Sequence, residues 1–158
     1  MNPTPSQTVG PFFGFALPFE DDANAVAAHA ANAVRVEGQV LDGAEEPVPD
    51  ALLEVWNGEQ FARCRTDTEG AFHFTLSKPE AAASAAPFLN VTVFARGLLR
   101  HLCTRIYFPD ERAANEADPV LARVEPRRRH TLVARQDAGA LHFDVHLQGD
   151  DETVFFAL

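Results

Sequence analysis

The 158-residue chain is short of several residue types, and each shortage excludes a class of protein. Two cysteines are too few for a disulfide scaffold, and they lack the close C-x-x-C spacing typical of metal-binding pairs. Acidic residues outnumber basic ones by 23 to 13, a net charge of −10, which argues against general nucleic-acid binding. No stretch approaches the ~18 uncharged apolar residues that a membrane-spanning helix needs.

Phenolic oxygens are scarce as well, because Tyr107 is the single tyrosine against 13 phenylalanines. The hydrophobic share of 46% is ordinary for a soluble globular protein, and the length predicts one domain over residues 1–158. The N-terminus lacks the basic and apolar regions of a secretory signal. Together with two free thiols, Cys64 and Cys103, this indicates a reducing cytoplasm.

The first 20 residues form a separate compositional segment, rich in proline and glycine but also in large apolar side chains. Proline and glycine exclude a helix or a central strand there, so we expect an extended arm that packs against this domain or another chain. Residues 21–33 are alanine-rich and begin with two aspartates, which predicts a short helix.

Alternation of apolar and polar residues, interrupted by turn residues, dominates the rest of the chain. It predicts about eight short strands and therefore an all-β fold, an antiparallel β-sandwich with an added helix. Residues 79–87 are expected to be a surface loop or short helix, and 109–122 a loop with a helical turn. The predicted strands cover residues 34–40, 51–56, 61–66, 71–76, 89–95, 102–108, 131–135 and 140–147.

Three features could carry chemistry. His142 and His146 share one face of a predicted strand with Asp144, where a metal site is conceivable but a solvated strand face is the simpler interpretation. Arg96 ends an apolar strand, either as an ordinary strand-end residue or as a receptor for a carboxylate or oxyanion. The rigid turn at residues 4–11 is either a packed arm or part of a site.

Segments along almost the whole chain resemble the intradiol ring-cleavage dioxygenase family. The most specific are TPSQTVGP at residues 4–11, FARG at 94–97 and ETVFF at 152–156. The resemblance implies a β-sandwich fold and catalysis by a non-haem ferric iron, Fe(III), held by two tyrosines and two histidines of a catalytic β subunit. This chain resembles the α-type paralogue that has lost those ligands. Weaker matches cover residues 38–43, 47–51, 53–56, 63–67, 104–108 and 115–119.

The ligand positions that the resemblance implies can be checked in this sequence. The two histidine positions hold Phe88 and Asn90, and Tyr107 lies outside the ligand-bearing loops. The segments that would carry the tyrosines, residues 57–61 and 79–87, are short and contain no tyrosine. We therefore expect no iron, and no activity, in this chain alone.

The resemblance also implies a role for the α-type chain in a hetero-oligomer of αβ units. Thr8, Gly10 and Pro11 would line a substrate pocket formed with the β subunit, and Arg96 would project its charge into it. The substrate would be a small carboxylated catechol. Two other hypotheses stay open: a stand-alone β-sandwich binding or structural module, and an independent dioxygenase with unusual ligands such as His142 and His146.

Overall fold

Two β-sheets form the body of the protein, in a computed structural model that describes residues 5, 7–8, 10, 13–82 and 85–157. The prediction of an all-β sandwich with antiparallel pairing and little helix is confirmed. None of the helices among the described residues is long and apolar enough to cross a membrane. The strands are β1 (Ala33–Leu41), β2 (Leu52–Trp56), β3 (Phe61–Arg65), β4 (Ala71–Ser77), β5 (Phe88–Phe94), β6 (Leu102–Tyr107), β7 (Arg135–Asp137), β8 (Ala140–His142) and β9 (Val145–His146). The helices are α1 (Phe13–Ala16), α2 (Arg112–Ala117) and the 3-10 helices Leu121–Arg123 and Pro126–Leu132.

The two sheets differ in their connections. The second sheet has the order β3-β2-β5-β6 with every pair antiparallel. The first sheet has the order β4-β1-β8-β7, with β9 also pairing with β1. In that sheet β1 is antiparallel to β4 and parallel to β8 and β9. The sites discussed below lie on or beside β5 and β6.

The core contains the alternate, inward-facing residues of both sheets, as the sequence pattern predicts. Val36 and Phe74 come from the first sheet and Leu53, Leu89 and Val93 from the second, and all five are fully excluded from solvent. A smaller second cluster covers the outer face of β6. Its buried members are Ala86, Tyr107, Leu121 and Leu132.

Gly38, in the middle of β1, permits a close crossing of the chain. A Cβ atom there would lie 1.8 Å from the carbonyl oxygen of Phe143. The Phe143 N–H bonds the Glu37 carbonyl at 2.9 Å, and the Asp144 carboxylate accepts the Gln39 N–H at 3.0 Å. The strand predicted at residues 140–147 is therefore split into β8 and β9 at this crossing.

The helix predicted at residues 21–33 does not form. The segment folds as a series of turns, and its backbone bonds Thr75 at the edge of β4 through Ala23 and Ala25 at 2.9 and 2.8 Å. Asp21 has a φ of 63°, outside the helical region. Alanine's helix propensity is a weak preference, and pairing with the sheet outweighs it here.

The arm was predicted to contain no helix, and this is also corrected. α1 makes one turn, closed by the bond from the Leu17 N–H to the Phe13 carbonyl at 3.2 Å. The four residues contain no proline, so a single turn loses no donor. The prolines and glycines of the rest of the arm disfavour a longer helix.

The strand predicted at residues 131–135 is mostly wrong. Pro126–Leu132 is a 3-10 helix with proline in its first turn, and the Thr131 hydroxyl bonds the Arg128 carbonyl at 2.9 Å. Only Arg135 belongs to a strand, as the first residue of β7. The helical turn expected within residues 109–122 is α2. Residues 79–87 form a loop in their described part, which lacks 83 and 84.

Candidate functional site

The turn after β5 and the N-terminal arm meet in the structure. The Gly97 N–H donates a hydrogen bond to the Thr8 hydroxyl at 3.2 Å. Gly97 has a φ of +89°, a conformation that favours glycine and turns the chain sharply after Arg96. Two of the site residues predicted from sequence, Thr8 and Arg96, are thereby brought to the same place.

The other two predicted residues are less defined. Gly10 is exposed, its carbonyl accepts the Phe13 N–H at 3.3 Å, and a Cβ there would meet nothing within 4 Å. Pro11 lies outside the described residues.

Arg96 is held by a partner that the sequence analysis missed. Its Nε donates to the carboxylate of Asp50, whose side chain is largely buried at 20% exposure. The Arg96 side chain itself is 61% exposed. A guanidinium fixed through Nε still has two Nη groups, and these can donate to both oxygens of a second carboxylate. Only the PVPDA turn preceding β2 hinted at Asp50.

Arginines of β3 fasten the described part of the arm to the sandwich. Arg63 donates to the Leu17 carbonyl at 2.7 Å, and Arg65 donates to the Gly14 carbonyl at 3.4 Å. The Arg65 guanidinium also lies 5.3 Å from the ring centre of Phe15. The described part of the arm is therefore docked through its backbone, while the side chains of Phe15, Leu17 and Phe19 remain exposed.

Exposed apolar side chains concentrate in the arm and in the hairpin of β2 and β3. Phe15 is 76% exposed and Phe19 59%, and Trp56 at the end of β2 is 50% exposed. Single exposed apolar residues are ordinary, but several on one segment mark an association surface. Leu17, Phe61 and Leu99 are the other large exposed apolar residues in the described chain.

A second candidate site lies on the outer face of β5 and β6. Asn90 and Arg105 are cross-strand neighbours there and line a cavity of about 590 Å³. Phe88, two residues before Asn90, lies beneath Arg105, whose guanidinium carbon is 3.8 Å from the Phe88 ring centre. Sequence reasoning missed Arg105, although TRIYF was among the segments that resemble the family; its position opposite Asn90 is seen only in the structure.

Tyr107 is a structural residue beside this cavity. It is fully buried, its hydroxyl accepts from Arg105 Nη1 and donates to Asp118 Oδ1, both at 3.2 Å. Burial is the main cause that raises the pKa of Tyr107, and the Asp118 charge adds to it. Asp118 is buried too and accepts backbone N–H groups of Ala86, Val120 and Leu121.

The residues at the implied ligand positions do not fit ferric iron. Phe88 offers no donor atom, Asn90 offers a neutral amide, and the Tyr107 hydroxyl is engaged on both sides. Ferric iron in such proteins needs anionic or imidazole donors. We therefore derive no chemistry of this chain through a metal.

His142 and His146 lie elsewhere and are each paired with a carboxylate. His142 Nε2 is 3.0 Å from Asp144, and His146 Nδ1 is 3.3 Å from Glu45. Within the described ranges, no group of three or more histidine, cysteine or acidic side chains is placed to hold a metal ion. The two histidines are thus members of carboxylate pairs on the first sheet.

Comparison with known proteins gives close relatives. The protocatechuate 3,4-dioxygenase alpha chain of Burkholderia cepacia is 41% identical over 189 aligned positions, which cover 97% of this chain and 96% of the relative. The alpha chain of Pseudomonas putida is 38% identical, with coverage of 97% and 95%. The beta chain of Burkholderia cepacia is 27% identical, over 75% of this chain and 65% of its own length. No family model matches.

Solved structures share the fold. The dioxygenase domain of a carbohydrate-binding fusion protein from Streptomyces sp. SirexAA-E has a TM-score of 0.61 at 22% identity and covers 94% of this chain and 99% of that one. Hydroxyquinol 1,2-dioxygenase from Pseudomonas putida DLL-E4 has a TM-score of 0.60 at 19% identity, with coverage of 92% and 67%. At these identities the likeness establishes the β-sandwich architecture alone.

The alignment with the Burkholderia alpha chain also shows that this chain is short. It runs over 189 positions, 31 more than the 158 residues of the chain, so at least that many positions are gaps here. A short connection between strands agrees with the smaller length of this chain. β2 and β3 are joined by residues 57–60 alone, closed by the bond from the Asn57 N–H to the Gln60 carbonyl.

Proposed function

We propose that this chain, which belongs to the family of protocatechuate 3,4-dioxygenase alpha chains, is the alpha subunit of such an enzyme and pairs with a beta subunit. The observation that carries the proposal is that this chain is more similar to alpha chains than to a beta chain. Identity to an alpha chain is 41% over nearly the full length of both chains, against 27% over parts of both for a beta chain. The chain is thus an alpha-type chain of an intradiol dioxygenase.

The reaction assigned to the assembled enzyme is the cleavage of 3,4-dihydroxybenzoate by O₂. The bond between the two hydroxyl-bearing carbons breaks, and both oxygen atoms enter the product, 3-carboxy-cis,cis-muconate, so atoms and electrons balance without another reductant. This is a step of aromatic-compound catabolism in the beta-ketoadipate pathway. Fe(III), bound by the beta subunit, supplies the activation of the catechol toward O₂.

This chain contributes binding and orientation rather than chemistry. Thr8, Gly10 and Pro11 form a wall of the shared pocket, and Arg96 meets the negative charge of the substrate. The Thr8–Gly97 hydrogen bond and the Arg96–Asp50 ion pair support this, because they hold the arm and the charge together before substrate arrives. Such preorganisation lowers the entropy lost on binding.

The proposal treats residues 1–158 as one domain whose first 20 residues form an interface with the beta subunit. The exposed side chains of Phe15 and Phe19 support the interface, since they are apolar surface that a partner would cover. A cytoplasmic location is part of the proposal. It is supported by the two free cysteines, because structural thiols persist in a reducing compartment.

Iron content and colour test the proposal directly. The chain is purified alone and after co-expression with a beta-type chain from the same source, and iron, visible spectrum, chain composition and O₂ uptake with 3,4-dihydroxybenzoate are measured. We expect a colourless lone chain without iron, and a red-brown complex that retains both chains and consumes one O₂ per substrate.

Two outcomes contradict it. Absence of a complex, with a soluble monomer unaffected by loss of residues 1–12, would indicate a stand-alone β-sandwich module. Tight iron and colour in the lone chain would indicate an independent dioxygenase and would return attention to His142 and His146.

A further inference from the structure

The cavity of about 590 Å³ on the outer face of β5 and β6 is separate from the residues assigned to the shared pocket. Its lining includes neither Thr8 nor Arg96. Asn90, Thr92, Cys103 and Arg105 form one side, and the segments at residues 120–128 and 154–156 form the other. The volume lies in the range of cavities that bind small molecules.

The cavity offers apolar walls to a flat ligand. Val120 and Val124 come from the segment that covers the cavity, and Val154 and Phe156 come from the C-terminal segment. That segment is fixed by the bond from the Phe156 N–H to the Cys103 carbonyl at 2.8 Å. An inorganic anion would leave these walls unused, whereas an aromatic ring would bury apolar surface against them.

The charge of the lining is opposite to that of the whole chain. Arg105, Arg123 and Arg128 face a single carboxylate, Glu125, in a protein of net charge −10. Glu125 is itself paired with Arg127 at 2.8 Å. A local excess of arginine in a concave site selects anions over cations.

Two of these arginines are free to meet a ligand. Arg105 is stacked at 3.8 Å on Phe88 and donates through Nη1 to Tyr107, which orients its remaining N–H groups. The Arg123 side chain makes no hydrogen bond or ion pair with any residue in the described ranges, and only its backbone N–H is bonded, to the Val120 carbonyl at 3.0 Å. Arg128, by contrast, is occupied by Glu152 at 2.9 and 3.4 Å.

We propose that this cavity binds a small aromatic carboxylate, with the ring against the valines and Phe156 and the carboxylate on Arg105 and Arg123. The site goes beyond the proposed function, which places the substrate in a different pocket shared with the beta subunit. It belongs to this chain alone and requires no metal.

Cys103 provides a reporter within the cavity. Its thiol is half-buried and lines the cavity, whereas Cys64 is buried and burial raises the pKa of the Cys64 thiol, so Cys64 reacts slowly. Alkylation of Cys103 by iodoacetamide, followed by peptide mass spectrometry, is measured with increasing benzoate. The neutral isostere benzamide is the control ligand.

We expect benzoate to slow alkylation of Cys103 about tenfold with a Kd of about 1 mM, and benzamide to leave the rate unchanged. Arg123→Gln should weaken the protection about tenfold, which corresponds to one charge-assisted contact. Arg112→Gln, an exposed arginine of α2 outside the cavity, is the matched variant and should leave the protection intact.

The measurement is made on the full chain alone and in the complex with its beta subunit. Equal alkylation with and without benzoate would overturn the proposal, and so would equal protection in the Arg123→Gln and Arg112→Gln variants. A Cys103 that is unreactive in the complex without benzoate would also overturn it, because the partner chain would then cover the cavity.

Discussion

Each of the two proposed sites contains an arginine that is held in place by a neighbouring side chain, and the two neighbours differ in kind. Arg96 is held by the carboxylate of Asp50 and remains mostly exposed. Arg105 is held by the ring of Phe88 and the hydroxyl of Tyr107. The carboxylate partly neutralises the charge that it positions, whereas the ring leaves it available.

The first residue-scale prediction concerns Arg96→Ala in the assembled complex. Loss of a charge-assisted contact of about 1.5–3 kcal/mol should lower kcat/KM roughly 10- to 100-fold while iron content stays unchanged. Turnover and iron per complex are measured together. Arg100→Ala, exposed in the same loop, is the matched control, and His142→Ala and His146→Ala should be nearly silent. Loss of iron alongside activity would contradict the assigned role.

A second residue-scale prediction concerns His73 on β4. Burial, and then the charge of Arg35, lower the pKa of His73, while Glu37 and Asp22 oppose this weakly. As the pH falls through the ordinary value of 6.5, His73 therefore takes up a proton in the unfolded chain before it does so in the folded chain. The free energy of unfolding falls as the pH drops from that value to the lower folded pKa of His73.

Urea unfolding of the wild type and of His73→Gln between pH 7.5 and pH 5 checks this. The free energy of unfolding of the wild type should fall more steeply than that of the variant as the pH drops below 6.5. Parallel curves would show that His73 has the same pKa in both states.

At the scale of elements, β1 is the strand on which the first sheet depends. It pairs with β4 on one side and with β8 and β9 on the other. The change from β8 to β9 requires the chain at Phe143 to pass directly over Gly38. A side chain at that position has no space, whatever its polarity.

Gly38→Ala is therefore expected to destabilise the protein by roughly 3 kcal/mol or more, or to prevent folding, because backbone must move. Gly43→Ala is the matched control, since its Cβ would meet only the side chain of exposed Gln148. Denaturant midpoints or soluble yields of the two variants are compared. Equal midpoints would show that the crossing can relax.

At the scale of the whole molecule, the buried core of the sandwich contrasts with apolar side chains of the arm that are exposed to solvent. The large core residues are fully buried, whereas Phe15, Leu17 and Phe19 remain exposed beside the docked backbone of the arm. Several large apolar side chains exposed on one segment are typical of a surface that a partner covers.

Deletion of residues 1–12 should accordingly leave the thermal unfolding of the lone chain within a few degrees of the wild type, because the hydrophobic core of the described chain is formed by residues from Ala23 onward. It should weaken co-purification with the beta subunit and lower kcat/KM of the complex. Size-exclusion chromatography and O₂ uptake measure the two effects. An unchanged complex and rate would remove the arm from both interface and pocket.

Short-range patterns in the sequence were enough to predict the local features of this fold. Alternation over five to seven residues is a local property, and it located β1 to β6 within one or two residues of the bounds in the structure. The same local reading singled out Arg96 at the end of an apolar strand. The resemblance through FARG and ETVFF fixed the family without any structure.

Features that depend on contacts between residues distant in sequence became visible only in the folded chain. The helix predicted at residues 21–33 does not form because that segment pairs with Thr75. The strand predicted at 140–147 is split where the chain crosses over Gly38. The pairing of Arg96 with Asp50, and the arginine-lined cavity around Arg105, also join segments far apart in sequence. Propensity and periodicity describe neighbours along the chain, whereas burial and charge pairing depend on neighbours in space.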